Sequence, residues 1–204
     1  MAFTALPSHT IIERTLSALF ANGFNVLEVE NGEEAKRKVL ELLPPGAEVQ
    51  NNTSATLEEI GVAAEVLESG RFNSVRKQLL AMDRATQGRE MRKLGAAPDW
   101  DLGSVHAVTQ DGQLVIVSNT GSQLGALAYA GGRVILVVGA QKIVKDLDEA
   151  RQRVDEYILP LESKRLSQRL GKTVQSSVSK ILVIGREIVP GRITVILVNK
   201  VLGF

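Results

Sequence analysis

The chain has 204 residues, no cysteine, and a formal net charge of +1 from 24 lysines and arginines against 23 acidic residues. The absence of cysteine excludes disulfides, thiolate metal sites, cysteine-ligated iron–sulfur clusters and a cysteine nucleophile. The balanced charge and an aromatic content of 4% argue against the basic, base-stacking surface of a nucleic-acid-binding domain.

The first part of the chain alternates helical patterns with short apolar runs. Apolar residues at helical spacing predict an N-terminal helix within residues 1–23. The run NVLEVE (25–30) predicts a strand, EEAKRKVLELL (33–43) predicts a second helix, and AEVQ (47–50) predicts a second strand. This order is typical of an α/β fold.

Two further helical patterns follow the polar loop NNTSAT. We expect LEEIGVAAEVLES (57–69) to form a third helix that begins with a capping box of Thr56 and Glu59. Residues 71–97 form a charged helical segment, whose basic residues we interpret as a solvated face because acids are interspersed.

The second part of the chain is dominated by strands. GSVHAVT (103–109) and QLVIVSN (113–119) predict a β-hairpin, and the apolar run RVILVVG (133–139) predicts a central strand. The last two runs, KILVIGRE (180–187) and RITVILVNK (192–200), predict an antiparallel pair. Together these patterns predict an α/β fold with a mostly parallel central sheet, helices on both faces and added antiparallel hairpins.

Three polar loops follow predicted strands, at residues 51–56, 119–123 and 139–142. Parallel strands end at one edge of a sheet, and backbone N–H groups at such loops can hold an anion. A polar turn before a helix is also an ordinary helix cap, and neither a P-loop nor a dinucleotide-binding pattern is present. The candidate ligand-binding residues are Asn52, Thr53, Ser54, Thr56, Asn119, Thr120, Gly121, Ser122, Gln123 and Lys142.

His106 is the candidate catalytic residue. We expect it in the middle of a strand, either as a hydrogen-bonded, half-buried histidine or as a general acid or base in a pocket. We expect Asp99 and Asp101, which flank Trp100, to lie in a solvated loop. The alternative is that they bind a hydroxyl group of a ligand. The two histidines lack metal-ligand spacing, so no metal and no cofactor is expected.

Several segments resemble the lactate-utilisation (LUD) domain family, formerly a domain of unknown function. They are TSATLEEIG, GSVHAVTQDGQLVIVSNTGSQ, VILVVGAQKIVKDLDEA, PLESKRL and PGRITVILVNKVLGF, spread over residues 10–204. The resemblance implies a three-layer α/β sandwich related to ribose-phosphate isomerase, glucosamine-phosphate deaminase and CoA-transferase proteins. It also implies a homodimer, a ligand site at the strand ends that includes Lys142, and oxidoreductase partner proteins.

The sequence departs from the family pattern at three places. His106 stands where similar members have asparagine, and SQRLGKTVQSSVSK replaces a cysteine-rich insertion. The segment VSNTGSQ lacks the glutamate nucleophile of the related CoA-transferases. Cluster binding by that insertion and covalent acyl transfer by a glutamate are therefore not expected.

These observations predict one domain, residues 1–204, that binds a small phosphorylated or carboxylated metabolite and assists lactate or 2-hydroxy-acid utilisation. The N-terminus lacks the pattern of a signal peptide and no apolar run reaches a membrane span, so we expect a cytoplasmic protein. His106 would transfer protons and Lys142 would hold negative charge. The alternatives are a non-catalytic partner subunit of an oxidoreductase assembly and a sugar-phosphate isomerase or transferase.

Overall fold

Two β-sheets packed face to face form the centre of the molecule. The computed structural model describes residues 3–204. The strands of this part are β1 Asn25–Val29, β2 Glu48–Asn51, β3 Asn73–Ser74, β4 Trp100–Gly103, β5 Ala107–Thr109, β6 Leu114–Ser118, β7 Arg133–Gly139, β8 Ile143–Val144, β9 Lys180–Ile184 and β10 Ile193–Val198.

The central sheet is parallel throughout, with the strand order β1-β10-β7-β4-β2-β3. Its middle strands β7 and β10 are apolar and buried on both faces, as expected for a parallel sheet that is covered on both sides. The predicted α/β fold with a mostly parallel central sheet is therefore confirmed.

The second sheet is mixed, with the order β8-β5-β6-β9. The hairpin predicted from residues 103–119 is present as the antiparallel pair β5 and β6. Leu114 and Ile116 of this sheet share one apolar cluster with Leu136 and Val195 of the central sheet. The second face of the central sheet is thus covered by another sheet, together with the N-terminal helix.

Helices cover the outer faces of both sheets. The helices of residues 3–204 are α1 His9–Ala21, α2 Gly32–Leu42, α3 Ala55–Glu59, α4 Val62–Glu68, α5 Val75–Ala81, α6 Gly88–Ala96, α7 Leu147–Arg153 and α8 Leu159–Leu170, with π-helical turns at Ala126–Ala130 and Val154–Ile158. Helices α2, α3 and α4 pack on the central sheet, whereas α7 and the turn before α8 pack on the second sheet. Among residues 3–204, no helix has the length and apolarity to cross a membrane.

The prediction that the last two strands pair with each other was wrong. Strand β9 pairs antiparallel with β6 in the second sheet, and β10 lies parallel between β1 and β7 in the central sheet. The physical reason lies in their burial, because β10 is buried at every position whereas β9 is largely exposed. A fully apolar strand is stabilised most in the middle of a covered sheet.

Two predicted helices are also divided in the structure. The helix expected over residues 57–69 is broken at Ile60 and Gly61 into α3 and α4. The charged segment 71–97 contains the short strand β3 followed by α5 and α6. Helical propensity alone did not indicate β3, which pairs with β2 of the central sheet, whereas the break before α4 follows from the left-handed backbone of Gly61 at φ +72°.

The chain crosses from the central sheet to the second sheet twice, side by side. Residues 104–106 connect β4 to β5, and residues 140–142 connect β7 to β8. Strands β4 and β7 are neighbours in the central sheet, and β5 and β8 are neighbours in the second sheet. The two crossings therefore lie next to each other at the carboxyl ends of the parallel strands, where α/β folds hold ligands.

The turn of the β5–β6 hairpin supports the end of α1 and requires glycine. Gly112 has φ +81°, and a Cβ atom there would lie 2.7 Å from backbone atoms of Ala18 and Leu19. The side-chain amide of Asn22 donates to the carbonyl oxygens of Asp111 and Gly112, at 2.9 and 3.0 Å. The hairpin and the helix thus meet without room for a side chain.

We expect Gly112→Ala to lower the free energy of unfolding by about 2–4 kcal/mol, because backbone strain and a steric clash add together. Gly46→Ala is the matched control, since Gly46 has φ +76° and open space around its Cα. That control should lose only about 1–2 kcal/mol. Urea denaturation of both variants measures the difference, and equal losses would contradict the clash.

Candidate functional site

A cavity of about 450 Å³ lies beside the two crossings between the sheets. Helix α8, the segment 174–178 and the C-terminal Phe204 form its other walls. The sequence-predicted residues that line it are Asn52, Thr53, Ser54, Thr56, His106, Asn119, Thr120, Gln123 and Lys142. Gly121 and Ser122 are not among the lining residues. Three loops that are distant in sequence therefore meet around one space. Two of them follow strands of the parallel sheet as expected, whereas residues 119–123 follow β6 of the mixed second sheet.

Lys142 has a buried amine that faces this cavity. Its side chain comes from the second crossing, and the residue is 2% exposed. The Nζ atom donates to Thr56 Oγ1 at 2.9 Å, Ser104 Oγ at 3.0 Å and the Val105 carbonyl oxygen at 3.3 Å. All three acceptors are uncharged, so these hydrogen bonds satisfy the amine without neutralising an ammonium charge.

Burial determines the protonation of Lys142. Desolvation, with a smaller contribution from the nearby Arg153 guanidinium, lowers the pKa of Lys142 to about 7, while Glu59 acts in the opposite direction. The pKa of Arg153 itself is lowered by burial to about 10. Arg153 is fully buried, and its guanidinium lies 5.2 Å from the ring centre of Tyr157. Lys142 thus loses its proton near neutral pH while its cationic neighbour keeps its charge.

Thr56 and the C-terminal segment hold Lys142 in place. The predicted capping box is wrong, because Ser54 caps α3 by accepting from the Leu57 amide. The Thr56 hydroxyl instead accepts from Lys142 and donates to the carbonyl oxygen of Leu202 at 3.4 Å. Glu59 accepts from the backbone amide of Gly203 at 2.7 Å. These contacts fix the last residues of the chain against the cavity wall.

Asp101 is not in a solvated loop, contrary to the expectation from its flanking residues. It lies on β4 and is fully buried, because this strand is covered on both faces. Asn52 donates from Nδ2 to both carboxylate oxygens, each at 3.0 Å. Burial raises the pKa of Asp101 to about 8, and the Asn52 hydrogen bonds oppose this shift. Asp101 therefore positions a cavity-lining amide and is largely protonated at neutral pH.

His106 lies in the first crossing between the sheets, whereas the sequence predicted the middle of a strand. The backbone amide of Val117 donates to Nδ1 at 3.1 Å, so the proton of the neutral ring is on Nε2. Burial, followed by the charges of Lys142 and Arg153, lowers the pKa of His106 to about 3. Arg153 also donates to its carbonyl oxygen at 2.6 Å. The ring is therefore a neutral hydrogen-bond donor near neutral pH.

The turn VSNTGSQ satisfies most of its polar groups internally. The Gly121 amide donates to Ser118 Oγ at 2.9 Å, and the Thr120 and Ser122 hydroxyls lie 3.2 Å apart. Gly121 has φ +85°, a backbone conformation that residues other than glycine rarely adopt. Asn119 donates to Ser177 Oγ at 2.9 Å. This turn therefore forms a wall of the cavity. The buried amine of Lys142 comes from the second crossing, residues 140–142.

Sequence reasoning missed several lining residues. Arg165 and Glu162 lie one turn apart on α8 and form an ion pair of 2.8 Å, and Arg165 also contacts Glu58 at 3.2 Å. Ser104 is a direct partner of Lys142. The i,i+3 spacing of Glu162 and Arg165 fits an ion pair on a helix, but only the return of α8 over the cavity places this pair at the site.

Two comparisons with known proteins identify relatives. The family model described as LUD domain matches residues 12–198. A solved crystal structure of a DUF162 family protein from Deinococcus radiodurans aligns with a TM-score of 0.58 at 15% identity. The alignment covers 96% of this chain and 100% of that chain, and DUF162 is the former name of LUD. No curated protein matches the chain.

The Lys142 amine should make stability rise with pH between about 7 and about 10, because the unfolded chain binds a proton there that the folded protein does not. Lys142→Met should remove a slope of up to about 1.4 kcal/mol per pH unit. Urea denaturation at several pH values measures this slope. Lys145→Met is the control, since the Lys145 side chain is 80% exposed. Parallel pH curves for wild type and Lys142→Met would contradict the lowered pKa.

The Asp101 carboxyl should act in the opposite direction. Its pKa is raised in the folded protein, so its contribution to the free energy of unfolding is fully present below about pH 4. That contribution is lost as pH rises towards 8. Asp101→Asn should flatten that decline by up to about 1.4 kcal/mol per pH unit. Asp99→Asn, two residues away at an exposed position, serves as the control. Unfolding curves between about pH 5 and about pH 8 test the difference, and an unchanged decline would show that Asp101 is ionised.

Proposed function

The chain belongs to the LUD domain family, and we propose that its cavity binds a small phosphorylated or carboxylated metabolite in lactate or 2-hydroxy-acid utilisation. The buried amine of Lys142 carries this proposal. Its hydrogen-bond partners are uncharged, so a ligand anion would supply the opposite charge that the protein does not place there. A buried charge-assisted hydrogen bond is among the stronger contacts that a site can make.

The remaining charges and the size of the cavity support the same ligand class. The charged lining residues are Lys142, Arg165 and Glu162. Arg165 is paired with both Glu162 and Glu58, so Lys142 is the lining cation without a carboxylate partner among residues 3–204. Arg76 donates to the hydroxyl of the lining residue Thr53 at 2.9 Å, which brings a third cation close to the site. A volume of about 450 Å³ is within the range of small-molecule pockets.

The polar residues around the cavity provide neutral donors for the rest of the ligand. Asn52 is oriented by Asp101, and the hydroxyls of Thr53 and Ser54 lie on the same wall. His106 is proposed as a donor from Nε2 to a ligand oxygen, because Nδ1 already accepts a hydrogen bond from Val117. A base at this position would need an unprotonated ring nitrogen, which the Val117 contact occupies.

We expect saturable thermal stabilisation of the wild-type protein by at least one member of a panel of phosphosugars, CoA esters, lactate and pyruvate. Lys142→Ala should weaken the affinity for that compound about tenfold or more, because a charge-assisted contact is lost. Lys145→Ala removes an exposed lysine three residues away and should leave the affinity unchanged. The measurement is thermal shift as a function of ligand concentration.

The panel also separates the alternatives. Stabilisation by phosphosugars alone would favour an isomerase-like role, whereas stabilisation by 2-hydroxy or 2-oxo acids would favour the lactate-related role. If no compound shifts a correctly folded protein, anionic metabolite binding is contradicted. An equal shift in wild type and Lys142→Ala would remove Lys142 from the site.

A further inference from the structure

The surroundings of Lys142 are those of a nucleophilic amine. A lysine attacks a carbonyl carbon only in its neutral form, and proteins favour that form by burial and by a neighbouring cation. Lys142 is 2% exposed, faces the cavity, and has the buried Arg153 guanidinium nearby. Its hydrogen-bond acceptors are two hydroxyls and a carbonyl, none of which would retain an ammonium proton as a carboxylate does.

Resting on the proposed function, we infer that Lys142 forms an imine with the carbonyl carbon of a small ligand that also carries an anionic group. Both a 2-oxo acid and a keto phosphate have this chemistry. The anionic group would be held by the lining residue Thr53, whose hydroxyl accepts from Arg76, because Arg165 is already paired with Glu162 and Glu58. The Lys142 amine would then be left for the carbonyl. The pKa of Lys142, lowered to about 7, leaves a large neutral fraction at physiological pH.

The step balances without an oxidant, a reductant or a further reactant. The Nζ lone pair forms a bond to the carbonyl carbon, and the π electrons of the C=O bond move to oxygen. This oxygen takes one proton that nitrogen loses, which gives a carbinolamine. The hydroxyl then leaves with the second nitrogen proton as water, and the C=N bond of the imine forms.

Two hydroxyls are placed to transfer these protons. Thr56 Oγ1 lies 2.9 Å and Ser104 Oγ 3.0 Å from Nζ, within the distance for direct proton exchange. The Ser104 hydroxyl can accept a proton from nitrogen while donating its own, whereas the Thr56 hydroxyl donates to the Leu202 carbonyl oxygen and would have to leave that contact to do the same. The Thr56 hydroxyl is oriented by the carbonyl oxygen of Leu202, and Ser104 lies in the first crossing between the sheets. The site therefore holds an amine and its proton carriers in one hydrogen-bonded group.

Reductive trapping tests this inference. The full-length protein is incubated with cyanoborohydride and either pyruvate or dihydroxyacetone phosphate, and the adduct is located by peptide mass spectrometry. We expect one reduced adduct, on Lys142, with one of the two probes, and which probe reacts distinguishes a 2-oxo acid from a keto phosphate. Lys142→Arg keeps a hydrogen-bonding cation but removes the nucleophilic amine and should lose the adduct completely, whereas Lys145→Arg should retain it.

The outcomes separate this inference from the proposed function. Absence of an adduct at Lys142 with both probes, or labelling spread equally over exposed lysines such as Lys145, overturns imine formation. If the panel of anionic compounds still gives saturable thermal shifts, reversible binding stands and only the covalent step is lost. Circular dichroism of Lys142→Arg establishes that the loss of labelling is not a loss of fold.

Discussion

The hydrogen bonds of the buried Lys142 amine join three parts of the chain that are distant in sequence. Thr56 lies in α3, the first helix after β2, Ser104 and Val105 follow β4, and Lys142 itself follows β7. An unpaired amine at this depth would cost several kcal/mol, so these segments must stay together for the fold to be stable. Because all three follow parallel strands, the same contacts place the cavity at the carboxyl edge of the sheet.

Burial at this edge shifts three ionisable groups towards their neutral forms. It lowers the pKa values of Lys142 and His106 and raises that of Asp101. Arg153 keeps its charge, and its guanidinium lies 5.2 Å and 6.0 Å from the ring centres of Tyr157 and Phe3, which are 6.1 Å from each other. Among residues 3–204, its Nε and Nη2 atoms have no hydrogen-bond partner, so its charge is poorly compensated. The same burial, together with the Arg153 charge, favours the neutral form of the Lys142 amine.

The second sheet explains how a fold of this class can build such a site without a nucleotide-binding loop. The neighbouring strands β4 and β7 of the central sheet are each followed by a strand of the second sheet, and these two strands, β5 and β8, pair with each other. Each crossing is therefore fixed at both ends. Residues in a connection that is fixed at both ends have well-defined positions, unlike those of an ordinary surface loop. The DUF162 protein shares the fold at 15% identity, which indicates that this arrangement of sheets does not depend on one particular set of side chains.

The sequence alone determined the α/β class, the β5–β6 hairpin and the strand-end residues of the cavity wall, because hydrophobic periodicity and polar strand ends are local signals. It did not determine the partners of β9 and β10, since two apolar runs near each other in sequence can pair with each other or with distant strands. It also did not reveal that Asp101 is buried or that Glu162 and Arg165 reach the cavity. Only the tertiary structure decided the protonation of Lys142, because a pKa depends on burial and on neighbours such as Arg153, which local sequence does not specify.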